Sequence, residues 1–222
     1  MLMQLNREYG PQSEDRLYRW IREGEHKTQD FKFAINNSKK IALSLSAFAN
    51  TEGGRLLIGV KDNGKIVGVH PEDEIHMLEG AAELYCTPAV DLNITIMELE
   101  EGAEVVCAEV AACKSGFIRA HGPENDQKAY VRVADENMIA SPLHLELWKR
   151  RGSENAFDPS TFSAPDKELL ALLSSEDEWR LNALIKRSQW PRRKALQRLG
   201  DFLHWGVAEL KRTENEFRIC PA

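Results

Sequence analysis

Two periods alternate along the first 150 residues. "SEDRLYRWIREG" sets Leu17, Trp20 and Ile21 at helical spacing, whereas "DFKFAI" alternates Asp30 and Lys32 with Phe31 and Phe33, the period of a half-buried strand. From about Ser38 the helical period returns. Ile41, Leu45 and Phe48 share one face, with Ala42 and Ala49 beside them, and the pattern stops at Gly53 and Gly54, residues suited to a left-handed helix terminus. "RLLIGV" and "KIVGV" flank Asp62, Asn63 and Gly64, which predicts a β-hairpin. Ile75, Leu78, Ala82 and Tyr85 predict a helix ending before Pro88. "LNITIMEL" and "EVVCAEVAA" predict a hairpin around Glu100, Glu101 and Gly102, "GFIRAH" and "AYVRVA" two more strands, and Ser141-Pro142 a capped helix through Trp148. The fold class expected is α+β with a mixed or antiparallel sheet.

One stretch breaks the periodicity. "GSENAFDPSTFSAPD", Gly152 to Asp166, exchanges apolar positions for Gly, Ser, Pro and Asn and reads as a linker, giving domains 1–151 and 166–222 around a connection at 152–165. Beyond it come helix ("DKELLALLSS"), helix ("LNALIKRS"), turn, helix ("RRKALQRLGDFLHWG"), and two strands in "VAELKRTENEFRI". Three helices followed by a hairpin is the order of a small winged helix-turn-helix, and the basic "PRRKALQR" opens its third helix, where a recognition helix sits. A helical protein-interaction domain with a solvated basic face has the same pattern, and that alternative stays open.

Charge sharpens the contrast between the halves. From Trp179 to Ala222 there are ten Lys or Arg against four acids, or +6; the whole chain carries -6, leaving -12 for residues 1–178. The carboxyl end is therefore the part suited to an anionic partner. At 222 residues, 42% apolar, the chain has room for one ordinary domain and a small one. Cys86, Cys107, Cys113 and Cys220 form no C-x-x-C pair, which fits a reduced, cytoplasmic setting. The N-terminus lacks the apolar core of a signal peptide, and no run of about 18 apolar residues predicts a membrane span.

The junction "NTEGGR" follows a helix C-terminus, the negative end of the dipole, so it is poorly placed to cradle phosphate, and no P-loop pattern occurs. ATP is not expected as a ligand. Gly53 and Gly54 are read instead as a tight reversal, with Asn50 and Thr51 hydrogen-bonding the turn and Glu52 as surface charge. His70, His76, His121 and His144 show no ligand spacing. Trp20, Trp148, Trp179 and Trp205 are read as core, and Trp190 as an anchor of the turn before the third basic helix.

"DFKFAINNSKKIALSLSAFANTEGGRLLIGVKDNGKIVGV", the stretch ending at Pro88 and "AYVRVADENMIASPLHLELWKRR" resemble the Schlafen-like, AlbA-related domain family over about residues 14–151. The family is described as DNA-binding and, in older labels, as a divergent ATP-binding domain. Bacterial proteins of this kind pair it with a C-terminal winged helix and are labelled transcriptional regulators, so the resemblance implies a nucleic-acid-binding regulator with DNA preferred over RNA. Arg192, Arg193, Lys194 and Arg198 would contact phosphates and one groove, and Lys211 and Arg212 the adjacent backbone. Binding itself requires no cofactor. Animal relatives join two such lobes in one chain, which implies a homodimer here. One departure is that Ala134 and Asp135 stand where the family often has Gly-Ser.

In animal Schlafen proteins the related fold is a metal-dependent ribonuclease. By that resemblance Glu25, Asp30 and Asp62 would hold Mg²⁺ or Mn²⁺, with Lys32 beside them; Asp30 is an Asp where the family pattern has Glu. The strand period independently puts Asp30 and Lys32 on one face. The opposing reading makes Asp30 an ion-pair partner of Lys32, Asp62 the start of a turn, and Glu25 a helix-end surface acid. An endoribonuclease and a protein-binding scaffold thus stand as alternatives to the DNA-binding regulator.

Overall fold

The computed structural model describes residues 3–114, 116–122, 126–150, 162–214 and 216–222. The chain divides into two compact units, Met1–Ile139 and Ala140–Ala222.

In the first unit, β1 (Gln4–Tyr9), β2 (Gln29–Lys32), β3 (Gly54–Ile58), β5 (Asn93–Glu98) and β6 (Glu104–Val110) form a mixed five-stranded sheet in the order β1-β5-β6-β3-β2. The outer pairs are parallel and the inner ones antiparallel. Alternation along the central strands feeds two cores. Leu57, Val105 and Cys107 meet Leu17 of α1 (Pro11–Glu23) on one face. Leu56, Ile58, Val106 and Ala108 meet Ile41, Leu45 and Phe48 of α2 (Ser38–Asn50) on the other. A second sheet, β4 (Cys86–Thr87), β7 (Arg119–His121), β8 (Gln127–Val133) and β9 (Glu136–Ile139), is antiparallel throughout and contributes Ala120 and Tyr130 to the α2 core, which α3 (Pro71–Leu84) completes.

Helix α2 is consequently buried on nearly every side. Its polar residues serve the second sheet, as buried polar groups must find partners. Ser46 Oγ donates to the Ile118 carbonyl at 2.9 Å, and Asn50 Nδ2 donates to the carbonyls of Ile118 and Tyr130, both at 2.8 Å. Asn50 Oδ1 accepts the Ile118 amide at 2.8 Å. Asn50 thus tethers segments about 70 to 80 residues away in sequence. Thr51 likewise donates to Ala47 O and accepts the Arg132 amide.

The glycine pair after α2 is explained by close approach. Gly53 has φ +79°, and a Cβ there would lie 2.7 Å from the Val110 carbonyl oxygen; a Cβ on Gly54 would lie 2.4 Å from the Phe48 ring. Glu52 is exposed and pairs with Lys27.

The hairpin expected around residues 62–64 does not form a ladder. A single bridge joins Val60 to Ile66, because β3 already has β2 on one side and β6 on the other. "KIVGV" turns back instead, its Val67 and Gly68 amides donating to Gly59 O. The strand expected at "DFKFAI" ends at Lys32, leaving Phe33 exposed.

The second unit begins earlier than the sequence pattern suggests. Helix α4 (Pro142–Lys149) buries Leu143 among Leu169, Leu199 and Phe202 of this unit. It is followed by α5 (Ala164–Leu173), β10 (Trp179–Arg180), α6 (Leu181–Ser188), α7 (Arg192–His204), β11 (Ala208–Arg212) and β12 (Phe217–Pro221), the strands ordered β10-β12-β11. Residues 152–161 of the expected linker lie outside the described residues. Its last positions belong to the unit's core: Phe162 is buried and stacks on Phe202, and Ser163 caps α5.

Candidate functional site

Two groups of residues singled out by the sequence can be located, one in each unit. In the first unit β2 places Asp30 and Lys32 on the α2 side of the sheet, and Lys32 Nζ lies 2.5 Å from Asp30 Oδ2. Asp30 Oδ1 accepts from Arg132 Nη2 of β8 at 3.0 Å, with both side chains almost wholly buried. Arg132 also donates to Asn137 Oδ1 and lies over the Phe48 ring. Glu25 reaches the same cluster: its Oε1 accepts the Phe31 amide at 2.9 Å, and its carboxyl hydrogen-bonds Asp30.

The two carboxyls are pushed apart in acidity. Burial, then the hydrogen bond to Asp30, raises Glu25 above its ordinary value. Burial would raise Asp30 as well, but Lys32 foremost, with Glu25 and Arg132, holds it below the usual range. The cluster sets a weakened acid, Glu25, beside a carboxylate that two cations already neutralise.

This donor set does not fit a divalent ion as arranged. Both Asp30 oxygens face cations, and hard cations such as Mg²⁺ require free, geometrically strict oxygen donors. Asp62 sits exposed in the turn after β3, with no hydrogen bond or ion pair to Glu25 or Asp30 among the described residues. Among those residues no three of His, Cys, Asp and Glu are grouped so as to hold a metal. Arg132 is the member that sequence reading missed. It lies in the quoted "AYVRVA", and a charged residue at an inward position of an otherwise apolar strand was the available signal.

In the second unit the basic residues separate into two kinds. Arg192, Arg193 and Lys194 are exposed in the first turn of α7, which contains no acid. Arg192 Nη1 donates to Asn182 Oδ1 at 2.8 Å, and Lys194 Nζ stands 4.6 Å above the Trp190 ring, in the turn between α6 and α7. Lys211 is exposed on β11, 3.9 Å from Glu178, and Arg212 beside it is half-buried.

Arg198 departs from the expected role. It faces inward, its Nε and Nη2 donating to the two oxygens of buried Asp166 at 2.8 and 2.7 Å, and it also pairs with Asp201. The hydrogen bonds from Ser163 and Arg198 hold the Asp166 carboxyl below its usual range against the opposing effect of burial. Arg198 is thus a brace between α5 and α7, since a bidentate pair leaves the guanidinium little capacity for a phosphate.

A family profile described as Schlafen, AlbA_2 matches residues 25–141, more than half of the chain. The chain belongs to the Schlafen, AlbA_2 family. Its matched region runs from Glu25 through the α2 core to the end of β9, so it contains Asp30, Asp62 and Arg132 together. No curated protein matches the chain. Among solved structures, the crystal structure of the DIP2311 protein from Corynebacterium diphtheriae is similar at 19% identity with a TM-score of 0.46. The match covers 86% of this chain and 38% of that one, so this Schlafen, AlbA_2 member spans well under half that protein's length. No helix among the described residues is long and apolar enough to cross a membrane.

Proposed function

We propose that the chain is a DNA-binding protein of transcriptional-regulator type, which grips duplex DNA through its second unit. The observation that carries this reading is the first turn of α7. Arg192, Arg193 and Lys194 stand there without an acid, at the end of a helix whose own dipole is positive. Placing three cations at that end costs stability, roughly 0.3–1 kcal/mol each, and the cost is recovered when a polyanion is bound. The helix–strand–helix–helix–hairpin order is that of a winged helix, in which α7 is the recognition helix and the β11–β12 hairpin the wing. Membership of the Schlafen, AlbA_2 family supports nucleic-acid binding at the level of the family.

In this reading Arg192, Arg193 and Lys194 engage the groove and its phosphates, and Lys211 and Arg212 touch the neighbouring backbone. The reading includes a homodimer, for which a monomeric mass by light scattering at micromolar concentration is the contrary result. Fluorescence anisotropy of the full chain with labelled duplex DNA and with tRNA tests the main claim. Saturable binding to the duplex at low salt, weaker for tRNA, is expected. Tighter binding to tRNA, with its cleavage in Mn²⁺, would move the reading to a nuclease, and no binding to either would leave a protein scaffold.

A further inference from the structure

The open part of α7 is narrower than the helix itself. Ala195, Leu199 and Phe202 face the core. The opposite stripe, three to four residues apart, runs through Arg193, Gln197 and Gly200. Helix α4 crosses this stripe at its far end: a Cβ on Gly200 would lie 2.7 Å from Glu146 Cβ and 2.8 Å from Arg150 Nη1. Arg150 fixes the crossing, donating to Asp201 Oδ1 at 2.7 Å and to the Gln197 carbonyl at 2.5 Å. The half of α7 beyond Gln197 is therefore closed to a ligand, and only its first two turns can enter a groove.

Within those turns the side chains are not equivalent. Arg192 is held by Asn182, Lys194 is held over Trp190, and Arg198 is spent on Asp166. The exposed side chains of Arg193 and Gln197 have no hydrogen bond or ion pair among the described residues. One helical turn apart, they stand about 6 Å from each other along the axis, a little under two base-pair steps of about 3.4 Å. Arginine matches guanine O6 and N7 in the major groove, and glutamine matches adenine N7 and N6.

Resting on the duplex-binding reading above, we propose that Arg193 and Gln197 are the base-reading pair, taking a guanine and an adenine within two base-pair steps of each other. Arg192 and Lys194 position the helix on phosphates and carry no sequence information. Gln197 is a specificity residue that neither charge nor motif had marked.

The test is selection of binding sites from a randomised duplex pool by the full-length chain, followed by affinity measurements with variants. The wild type is expected to enrich a guanine and an adenine at that spacing. Gln197→Ala should lose roughly 5- to 150-fold on the selected site while keeping its affinity for random duplex. Arg193→Lys, which keeps the charge and loses the fork, should lose discrimination at the guanine with the salt dependence unchanged. Binding that is tight and sequence-blind, or variants that weaken every duplex equally, would overturn the base-reading pair and leave duplex binding standing. No duplex binding by the wild type would overturn both.

Discussion

Asp30 and Arg132 lie 102 residues apart in sequence and meet at 3.0 Å with both side chains almost fully buried. The pair joins the edge strand of one sheet to the second sheet across the end of α2. Breaking a buried pair from one side leaves the other charge uncompensated. Arg132→Ala should therefore cost about 3 kcal/mol or more in urea unfolding. The double variant Asp30→Asn, Arg132→Met should lose clearly less than the two single losses added together. Additive losses would mean the two residues are not coupled.

Arg198 offers a cleaner separation of structure from binding. Arg198→Ala strands buried Asp166 and should cost about 2 kcal/mol, yet leave the salt dependence of DNA binding as it was. Because the folded Asp166 carboxyl is more acidic than in the unfolded chain, its contribution is present above its unfolded value and fades as pH falls through the folded one. Acid unfolding of the wild type should show this loss, and Arg198→Ala should show less of it.

His144 sets a different pH window. It lies at the third position of α4, packs edge-on against Phe217, and its Nδ1 accepts the Ser141 amide. Burial depresses it to about 4 from 6.5, so the folded state keeps the ring neutral. The unfolded chain binds the proton first as pH falls, and stability is lost between about 6.5 and 4, by at most about 1.4 kcal/mol per pH unit. Denaturant melts across this range should slope accordingly, and His144→Gln should flatten the slope.

Ala134 turns between β8 and β9 with φ +53°, a conformation in which an L side chain is strained. It stands where a Gly-Ser turn would relieve the strain. Ala134→Gly should raise stability by about 0.5–1 kcal/mol after glycine's own entropy cost, and Ala134→Val should lower it. A loss on Ala134→Gly would contradict the strain.

How much of this was legible in the sequence depended on the range of the interaction involved. The face shared by Ile41, Leu45 and Phe48, and the sharing of one strand face by Asp30 and Lys32, follow from local period, and both appear in the structure. Strand β1 was invisible because "QLNREY" is solvent-exposed along almost its whole length and shows no buried period. The failed hairpin after β3 looked local, but β2 and β6 had claimed both edges of that strand. Helix α4 was read with the first domain because nothing in its own pattern reveals that its partner surface is Gly200, fifty residues onward. Arg198 was misread for the same reason. A basic run announces charge, but the buried Asp166 that takes one member of it lies beyond any local spacing.

The central claim is that the first turn of α7 is the phosphate-binding element, and the salt dependence of duplex binding tests it most directly. Anisotropy titrations of the full chain between about 50 and 200 mM salt should give a steep linear fall of log affinity with log salt. The variant carrying Arg192→Gln, Arg193→Gln and Lys194→Gln should lose about two units of that slope, one for each phosphate-contacting cation, along with most of its affinity. An unchanged slope in this correctly folded variant would contradict the account.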